Sequence, residues 1–215
     1  SGIKNYNIKY DFKHYISDKF KLNYGLNGIF YEFNPGTIKP SGNDSGINPD
    51  QLDKKYAFEP SVYLDAENQV SKRITVAYGL RYSLFYRLGA STINYYDNNE
   101  AVVFNTDMQI YEKGTPTSTQ YFGKNKVIQS YNNLEPRFSI SYQLNEEQAL
   151  KASYNRMAQY LQLISNTSSP TPLDVWMPSD NYIKPQLADQ VALGYFRNIY
   201  NDAYSLEVET YYKSI

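Results

Sequence analysis

The sequence of 215 residues contains no cysteine and only one histidine, His14. Without thiols the chain cannot form disulfides or a thiolate metal site. A single histidine near a turn argues against a histidine-based catalytic triad and against a histidine-rich metal site. Neither a phosphate-cradling glycine loop nor a nucleophile elbow is present. The sequence therefore predicts no enzyme activity, no cofactor and no metal.

Long hydrophobic runs are also missing, and the mean hydropathy is -0.62. No run of about 18 apolar residues occurs, so no transmembrane helix is predicted. Strands that alternate apolar and polar residues average to low hydropathy, so a transmembrane β-barrel stays compatible with this value. The formal net charge of -1 argues against nucleic acid as the main partner, because phosphate binding needs a basic face.

Aromatic residues and period-2 alternation dominate what is present, with 24 Tyr and 10 Phe. Between Leu134 and Leu144 the even positions are apolar, apart from Pro136, and the odd positions are polar or charged. A polar turn at 145–148 is followed by renewed alternation to Tyr154. This pattern predicts an antiparallel hairpin. The stretch from Ile74 to Leu84 alternates most clearly and has the length of a tilted membrane-crossing strand.

Similar hairpins recur along the chain and predict about eight strands. Their connections alternate strictly between short turns and long polar segments, which lie near 34–55, 88–128 and 160–185. Within these segments, 101–104 is predicted to be a short strand or part of a loop hairpin, and 160–164 a single helical turn. The alternation is typical of an outer-membrane barrel, with short periplasmic turns and long extracellular loops.

The two parities of the predicted strands differ in charge. One carries Val, Leu, Ile, Tyr and Phe, as expected for contact with lipid, and the other carries charges that would face a watery lumen. The predicted lumen-facing charges are Glu59, Arg81, Glu135, Arg137, Glu207 and Glu209. A soluble β-sandwich or a lipocalin-like barrel would show the same parity with its apolar face turned inward.

Several phrases carry a family resemblance: Leu134–Ser139, the hairpin 144–156, Gln159–Leu161 followed by 163–166, Pro172–Pro178, and Ile183–Gln186 with 189–190 and 194–196. Together they resemble the C-terminal barrels of TonB-dependent outer-membrane receptors. The resemblance implies a 22-stranded barrel closed by an N-terminal plug domain. It also implies energised uptake of a siderophore, cobalamin, a glycan or a peptide, driven through the TonB protein.

On this interpretation residues 1–215 are an all-β, antiparallel, up-and-down sector of one outer-membrane β-barrel domain, and no plug domain is present in the chain. The expected location is the bacterial cell outer membrane. The expected partners are outer-membrane lipid and the TonB complex, which would act through the missing plug; a surface lipoprotein is a further partner that the resemblance allows. One alternative is a self-contained eight-stranded barrel with a structural or adhesive role. A soluble lipocalin-like ligand-binding barrel is the other.

Cargo contacts are expected in the long loops and the upper lumen, because loops on a rigid scaffold carry binding. The candidate residues are the large aromatic side chains in or beside these segments: Trp176, Tyr95, Tyr96, Tyr121 and Tyr160. Ordinary packing within the loops is the alternative interpretation for each of them.

Overall fold

The computed structural model describes residues 2–38, 50–51, 53–165, 174–200 and 203–215. Apart from a 3-10 turn at Asp97–Asn99, its regular elements are strands. In chain order they are β1 Gly2–Ser17, β2 Phe20–Asn34, β3 Thr37–Ile38, β4 Asp50–Gln51, β5 Lys55–Gln69, β6 Ile74–Leu88, β7 Ser91–Tyr95, β8 Val102–Asn105, β9 Ile110–Lys113, β10 Ser118–Phe122, β11 Val127–Gln143, β12 Gln148–Gln159, β13 Leu161–Ser165, β14 Asp174–Pro178, β15 Gln186–Ile199 and β16 Tyr204–Ser214.

Eight long strands form one antiparallel sheet in the order β1-β2-β5-β6-β11-β12-β15-β16. Each long strand is hydrogen-bonded to its predecessor among the long strands, which is an up-and-down meander. The connections 35–54, 89–126 and 160–185 therefore meet at one end of the sheet, called here the long-loop end. The four short turns lie at the opposite, short-turn end. Both the predicted eight strands and the predicted alternation of connections are confirmed.

The register of the sheet keeps the two parities on separate faces. Glu135 lies opposite Arg81, whereas the adjacent Leu134 lies opposite Tyr82. We call the face that carries Arg81 the polar face and the face that carries Leu80 the apolar face. A shift of one residue would exchange the two sets of side chains, so the hydrophobic pattern fixes this register.

The apolar face of the sheet is more exposed than the polar face, which is the reverse of the arrangement in a soluble protein. Leu80 and Val62 on the apolar face are 45% and 55% exposed, whereas Ser83 and Ser61 on the polar face are 0% and 4% exposed. A lipocalin-like barrel would gather its large aliphatic side chains in a dry interior. The described structure leaves them bare, as expected for a wall that faces hydrocarbon.

The sheet is open, because β1 and β16 are paired with β2 and β15 but not with each other. In a bilayer the outer backbone groups of both edge strands need hydrogen-bond partners, since the hydrocarbon offers none. The sheet is thus a sector of a larger barrel and needs neighbouring strands on both sides. None of the described residues forms a helix long and apolar enough to cross a membrane.

Short hairpins occupy the long connections. β10 pairs with β7, β8 pairs with β9, and β13 pairs with β14. The short strand predicted at 101–104 is present as β8, whereas the helical turn predicted at 160–164 is wrong. Leu161–Ser165 is extended because its backbone pairs with Asp174–Pro178, a partner that local propensity does not reveal.

Candidate functional site on the polar face

An ion-pair network crosses the polar face near the middle of the sheet. Arg81 on β6 lies between two carboxylates, with Nη2 3.7 Å from Glu59 Oε1 on β5 and Nε 3.9 Å from Glu135 Oε1 on β11. Glu135 is only 7% exposed, and the Tyr31 hydroxyl donates to Glu59 Oε2 at 3.0 Å. One guanidinium thus offsets the mutual repulsion of two carboxylates.

A second ion pair spans three strands nearer the short-turn end. Asp65 on β5, Gly79 on β6 and Arg137 on β11 lie in one lateral row. Asp65 Oδ1 lies 3.7 Å from Arg137 Nε, and a Cβ atom at Gly79 would stand 2.8 Å from Asp65 Cγ. The missing side chain of the central glycine therefore leaves the space through which the outer two side chains meet.

The same arrangement recurs at the β1 side of the sheet. Tyr63 on β5 lies opposite Gly25 on β2, which in turn lies opposite Asp11 on β1. The Tyr63 hydroxyl donates to Asp11 across the glycine, and Lys9 Nζ lies 2.8 Å from Asp11 Oδ2. Side chains of β1, β2, β5, β6 and β11 therefore form one laterally connected polar surface.

The remaining two charges predicted to face the lumen lie on the edge strand. Glu207 and Glu209 are opposite Phe196 and Gly194 on β15, on the polar face. Both are exposed, and neither lies within 4 Å of a cation among the described residues. Because β16 is an edge strand of the sheet, the side chains next to Glu207 and Glu209 on its open side would come from a further strand of the barrel.

An aromatic cluster covers the long-loop end of the polar face. Its buried members are Tyr31, Phe33, Ala57, Phe85 and Tyr160. Phe85 and Tyr160 stack with ring centroids 4.8 Å apart and an interplanar angle of 4°. Such a stacked pair contributes about 0.5–1.5 kcal/mol beyond the burial of its surface.

Tyr160 fixes the connection between β12 and β15 to the sheet. Its hydroxyl lies 2.7 Å from Ser83 Oγ on β6 and accepts a 2.8 Å hydrogen bond from Asn133 Nδ2 on β11. Tyr160 is 2% exposed. The residue predicted as a cargo contact therefore lies in the packed support of the site, where it does not present its ring to solvent.

Residues 177–180 fold inward over this cluster. The Ser179 amide donates to the Tyr160 carbonyl oxygen at 2.8 Å, and the Tyr131 hydroxyl donates to the Asp180 backbone oxygen at 2.6 Å. Pro178 and Ser179 are fully buried. Asp180 Oδ1 accepts from the amides of Tyr182 and Ile183, both at 2.9 Å, which stabilises a tight turn.

Tyr182 links this segment to the preceding long connection. Its hydroxyl donates to the Asn94 carbonyl oxygen on β7 at 2.7 Å, and its ring meets that of Tyr96 edge-on, with centroids 6.0 Å apart. The pKa of the Tyr182 hydroxyl is raised, chiefly because partial burial disfavours the phenolate. The two long connections thus form one assembly above the sheet.

The other predicted cargo residues are distributed over that assembly. Tyr95 on β7 donates to Gln120 Oε1 on β10 at 3.4 Å, and Tyr121 on β10 is 68% exposed. Trp176 on β14 is 38% exposed and belongs to a strand instead of a structureless loop. The role of all five residues as cargo contacts stays a prediction.

The sequence analysis did not identify two cationic side chains that lie beneath residues 177–180. Arg87 on β6 is 1% exposed, and Lys55 Nζ on β5 lies 3.0 Å from Met177 Sδ. Arg87 shares the parity of Arg81, so continuing the alternation to the end of β6 would have placed it on the polar face. The described residues include no group of three or more His, Cys, Asp or Glu arranged to hold a metal ion.

Comparison with known proteins gives the class to which this architecture belongs. The family model described as "Outer membrane beta barrel domain" matches residues 9–202. The chain belongs to this family, and it is part of a β-barrel of the bacterial outer membrane. Sequence comparison with curated proteins finds no match.

Solved structures share the fold. The FrpB iron transporter from Neisseria meningitidis matches as its F3-3 variant, with 14% identity and a TM-score of 0.57, over 98% of this chain and 28% of the transporter. Its F5-1 variant matches with 15% identity and a TM-score of 0.56 over the same shares. The copper transporter OprC matches with 14% identity and a TM-score of 0.56, over 91% of this chain and 28% of OprC. The chain therefore spans between a quarter and a third of the length of these transporter chains, and the predicted sector of a larger outer-membrane barrel is confirmed.

Proposed function

We propose that this sector belongs to a transporter that takes a nutrient into the cell through the lumen of its barrel. The supporting observation is the inward fold of residues 177–180 at the long-loop end, where Pro178 and Ser179 are buried against the polar face. In an outer-membrane barrel the long loops are extracellular and the polar face lines the lumen. A connection held at that place narrows the entrance, as expected of a receptor that selects its cargo.

The fold likeness supports the same proposal. The structures that match most of this chain carry titles that describe iron and copper transporters. Identity of 14–15% carries the fold and leaves the cargo undetermined. We further propose that uptake is energised through a plug domain and the TonB complex, that a surface lipoprotein is a candidate partner of the long loops, and that the protein performs no catalysis.

The second candidate function, a structural or adhesive eight-stranded barrel, would require β1 and β16 to pair with each other. The structure keeps these strands at opposite edges of the sheet. A structural barrel would also have no need for a connection folded against its lumenal face. We therefore favour the transporter.

Uptake by whole cells tests the proposal. Cells with and without the complete protein are given radiolabelled ferric siderophores, cobalamin, an oligosaccharide and a peptide, each in turn. We expect accumulation of one class that depends on the protein, on the proton gradient and on TonB. Accumulation that persists without the gradient and without TonB would identify a passive pore, and equal accumulation with and without the protein for every class would contradict a role in uptake.

A further inference from the structure

Arg87 is a buried cation that lacks a charged partner among the described residues. Its side chain is 1% exposed, and Nη1 donates to the backbone oxygens of Tyr56, at 2.9 Å, and Leu88. Nε has no hydrogen-bond partner in the described structure, and no described carboxylate oxygen lies within 4 Å. A buried ion without an opposite charge is costly to fold, so an anion at this guanidinium would stabilise the protein.

Lys55 adds a second positive charge beside it. Ala57 lies opposite Arg87 in the β5–β6 ladder, and Lys55 is two residues away on the same face of β5. The charges of Lys55 and Arg87 act on each other, which is unfavourable for two like charges. The Lys55 ammonium meets the Met177 thioether at 3.0 Å, a weak and uncharged acceptor.

The segment above the two cations supplies a third donor and little negative charge. Ser179 is fully buried and its Oγ has no partner among the described residues. Asp180 is near enough for its charge to act on both cations, but it forms no ion pair within 4 Å. Its Oδ1 is instead occupied by the backbone amides of Tyr182 and Ile183. Hydrogen-bond donors and positive charge therefore exceed acceptors and negative charge around Arg87 and Lys55.

We propose that Arg87 and Lys55, beneath residues 177–180, bind the carboxylate or phosphate group of a ligand that enters from the long-loop end. The free Nε of Arg87, the Lys55 ammonium and the Ser179 hydroxyl are the donors for its oxygens. Guanidinium and ammonium groups bind such oxyanions through short, charge-assisted hydrogen bonds. Binding itself is independent of transport, and only the identification of the ligand as cargo rests on the proposed function.

Titration calorimetry on the complete protein in detergent tests this site. Citrate and inorganic phosphate are the probes, in separate arms, and sorbitol is the uncharged control. We expect saturable binding of at least one anion and none of sorbitol. Binding of citrate alone assigns a carboxylate ligand, and binding of phosphate alone assigns a phosphate ligand.

Three variants locate the binding. Lys55→Met and Arg87→Gln should each weaken binding by about tenfold or more, because each removes a charge-assisted hydrogen bond. Lys54→Met is the matched control, since Lys54 lies at the same end of the sheet and pairs with Glu32 at 2.7 Å. It should change the affinity by less than roughly twofold, as expected for an exposed pair outside the site.

Thermal unfolding keeps the test decisive where a variant folds poorly. An anion that binds the folded state raises the unfolding midpoint, so the shift seen in the wild type should disappear in Lys55→Met, a change that removes no protein hydrogen bond except that to Met177. The proposal is overturned if neither anion binds the wild type, or if Lys55→Met binds as tightly as the wild type. If neither anion binds but uptake by whole cells persists, only this anion site is refuted. If an anion binds but no nutrient is taken up, the proposed transport function is refuted.

Discussion

Asp65 and Arg137 belong to strands that are not neighbours, yet their side chains form an ion pair with Oδ1 3.7 Å from Nε. The strand between them contributes Gly79 at the crossing point. A Cβ atom there would stand 2.8 Å from Asp65 Cγ and 3.0 Å from the Leu64 carbonyl oxygen. The absence of one methyl group in β6 thus determines whether a polar contact spans three strands of the wall.

Gly79→Ala is therefore expected to break the contact between Asp65 and Arg137. The ion pair is partly exposed, so the lost interaction should cost about 1 kcal/mol or less, and displacement of Asp65 adds to it. A lowered midpoint of heat modification on a gel, for the complete protein, checks the effect. Gly28→Ala is the control, because the nearest atom to its new Cβ would be in the Phe58 ring at 3.5 Å; equal loss in both variants would contradict the role assigned to Gly79.

Leu80→Arg tests which face contacts hydrocarbon. Leu80 lies near the middle of β6 on the apolar face and is 45% exposed. An arginine at the bilayer midplane costs about 2–4 kcal/mol, so the folded fraction in the outer membrane should fall. The matched change, Ala77→Arg, adds the same charge on the polar face opposite Glu67 and should be tolerated. Normal assembly of Leu80→Arg would show that this face does not meet lipid.

The architecture was predictable because local alternation and global topology agree. Leu134 to Tyr154 shows its period and its turn within some twenty residues, and each long strand pairs with the next long strand along the chain. The position of Glu59, Arg81 and Glu135 on the polar face follows from the same parity, although the sequence does not reveal that one arginine contacts both acids.

The long connections were predicted poorly, and the reason is physical. Leu161–Ser165 is extended only because Asp174–Pro178 lies beside it. Arg87 is buried near Asp180, whose charge acts on it although it lies about ninety positions further along the chain. Contacts of this kind leave no periodic signal in either segment. For the same reason the sequence allows Tyr160 to be assigned to a long connection, but it does not reveal that the ring packs against Phe85.

Tyr160→Phe separates a supporting role from cargo contact. The variant keeps the ring stack with Phe85 but leaves Ser83 Oγ and Asn133 Nδ2 without a shared partner, which should cost about 1–3 kcal/mol. Thermal unfolding of the complete protein measures this loss. Tyr121→Phe is the control, since Tyr121 is 68% exposed and should leave stability unchanged. Unaltered stability of Tyr160→Phe with weakened cargo binding would instead support the direct contact that the sequence suggested.

Arg81→Met should destabilise the wall more than the loss of two weak ion pairs would suggest. It leaves Glu59 and Glu135 close together without a cation, and an uncompensated buried charge of this kind typically costs about 3–5 kcal/mol. The triple variant Arg81→Met, Glu59→Gln, Glu135→Gln removes the charges together and should recover most of the stability. Unfolding midpoints of the single and triple variants provide the comparison. A triple variant no more stable than Arg81→Met would mean that Arg81 acts through packing.

Tyr131→Phe should loosen the inward connection without affecting the sheet. The hydroxyl of Tyr131 donates to the Asp180 backbone oxygen at 2.6 Å, so its removal costs about 0.5–1.5 kcal/mol of the local closing free energy. Opening of this segment would make the bond after the exposed Tyr182 more accessible to chymotrypsin added to intact cells, and cleavage there should accelerate by roughly two- to tenfold, in line with that free energy. Tyr195→Phe is the matched control, because it removes a hydroxyl bound to Gln148 Oε1 at 3.1 Å at the short-turn end, which chymotrypsin outside the cell does not reach. Equal cleavage rates in wild type and Tyr131→Phe would show that this hydrogen bond does not hold residues 177–180 against the lumenal face.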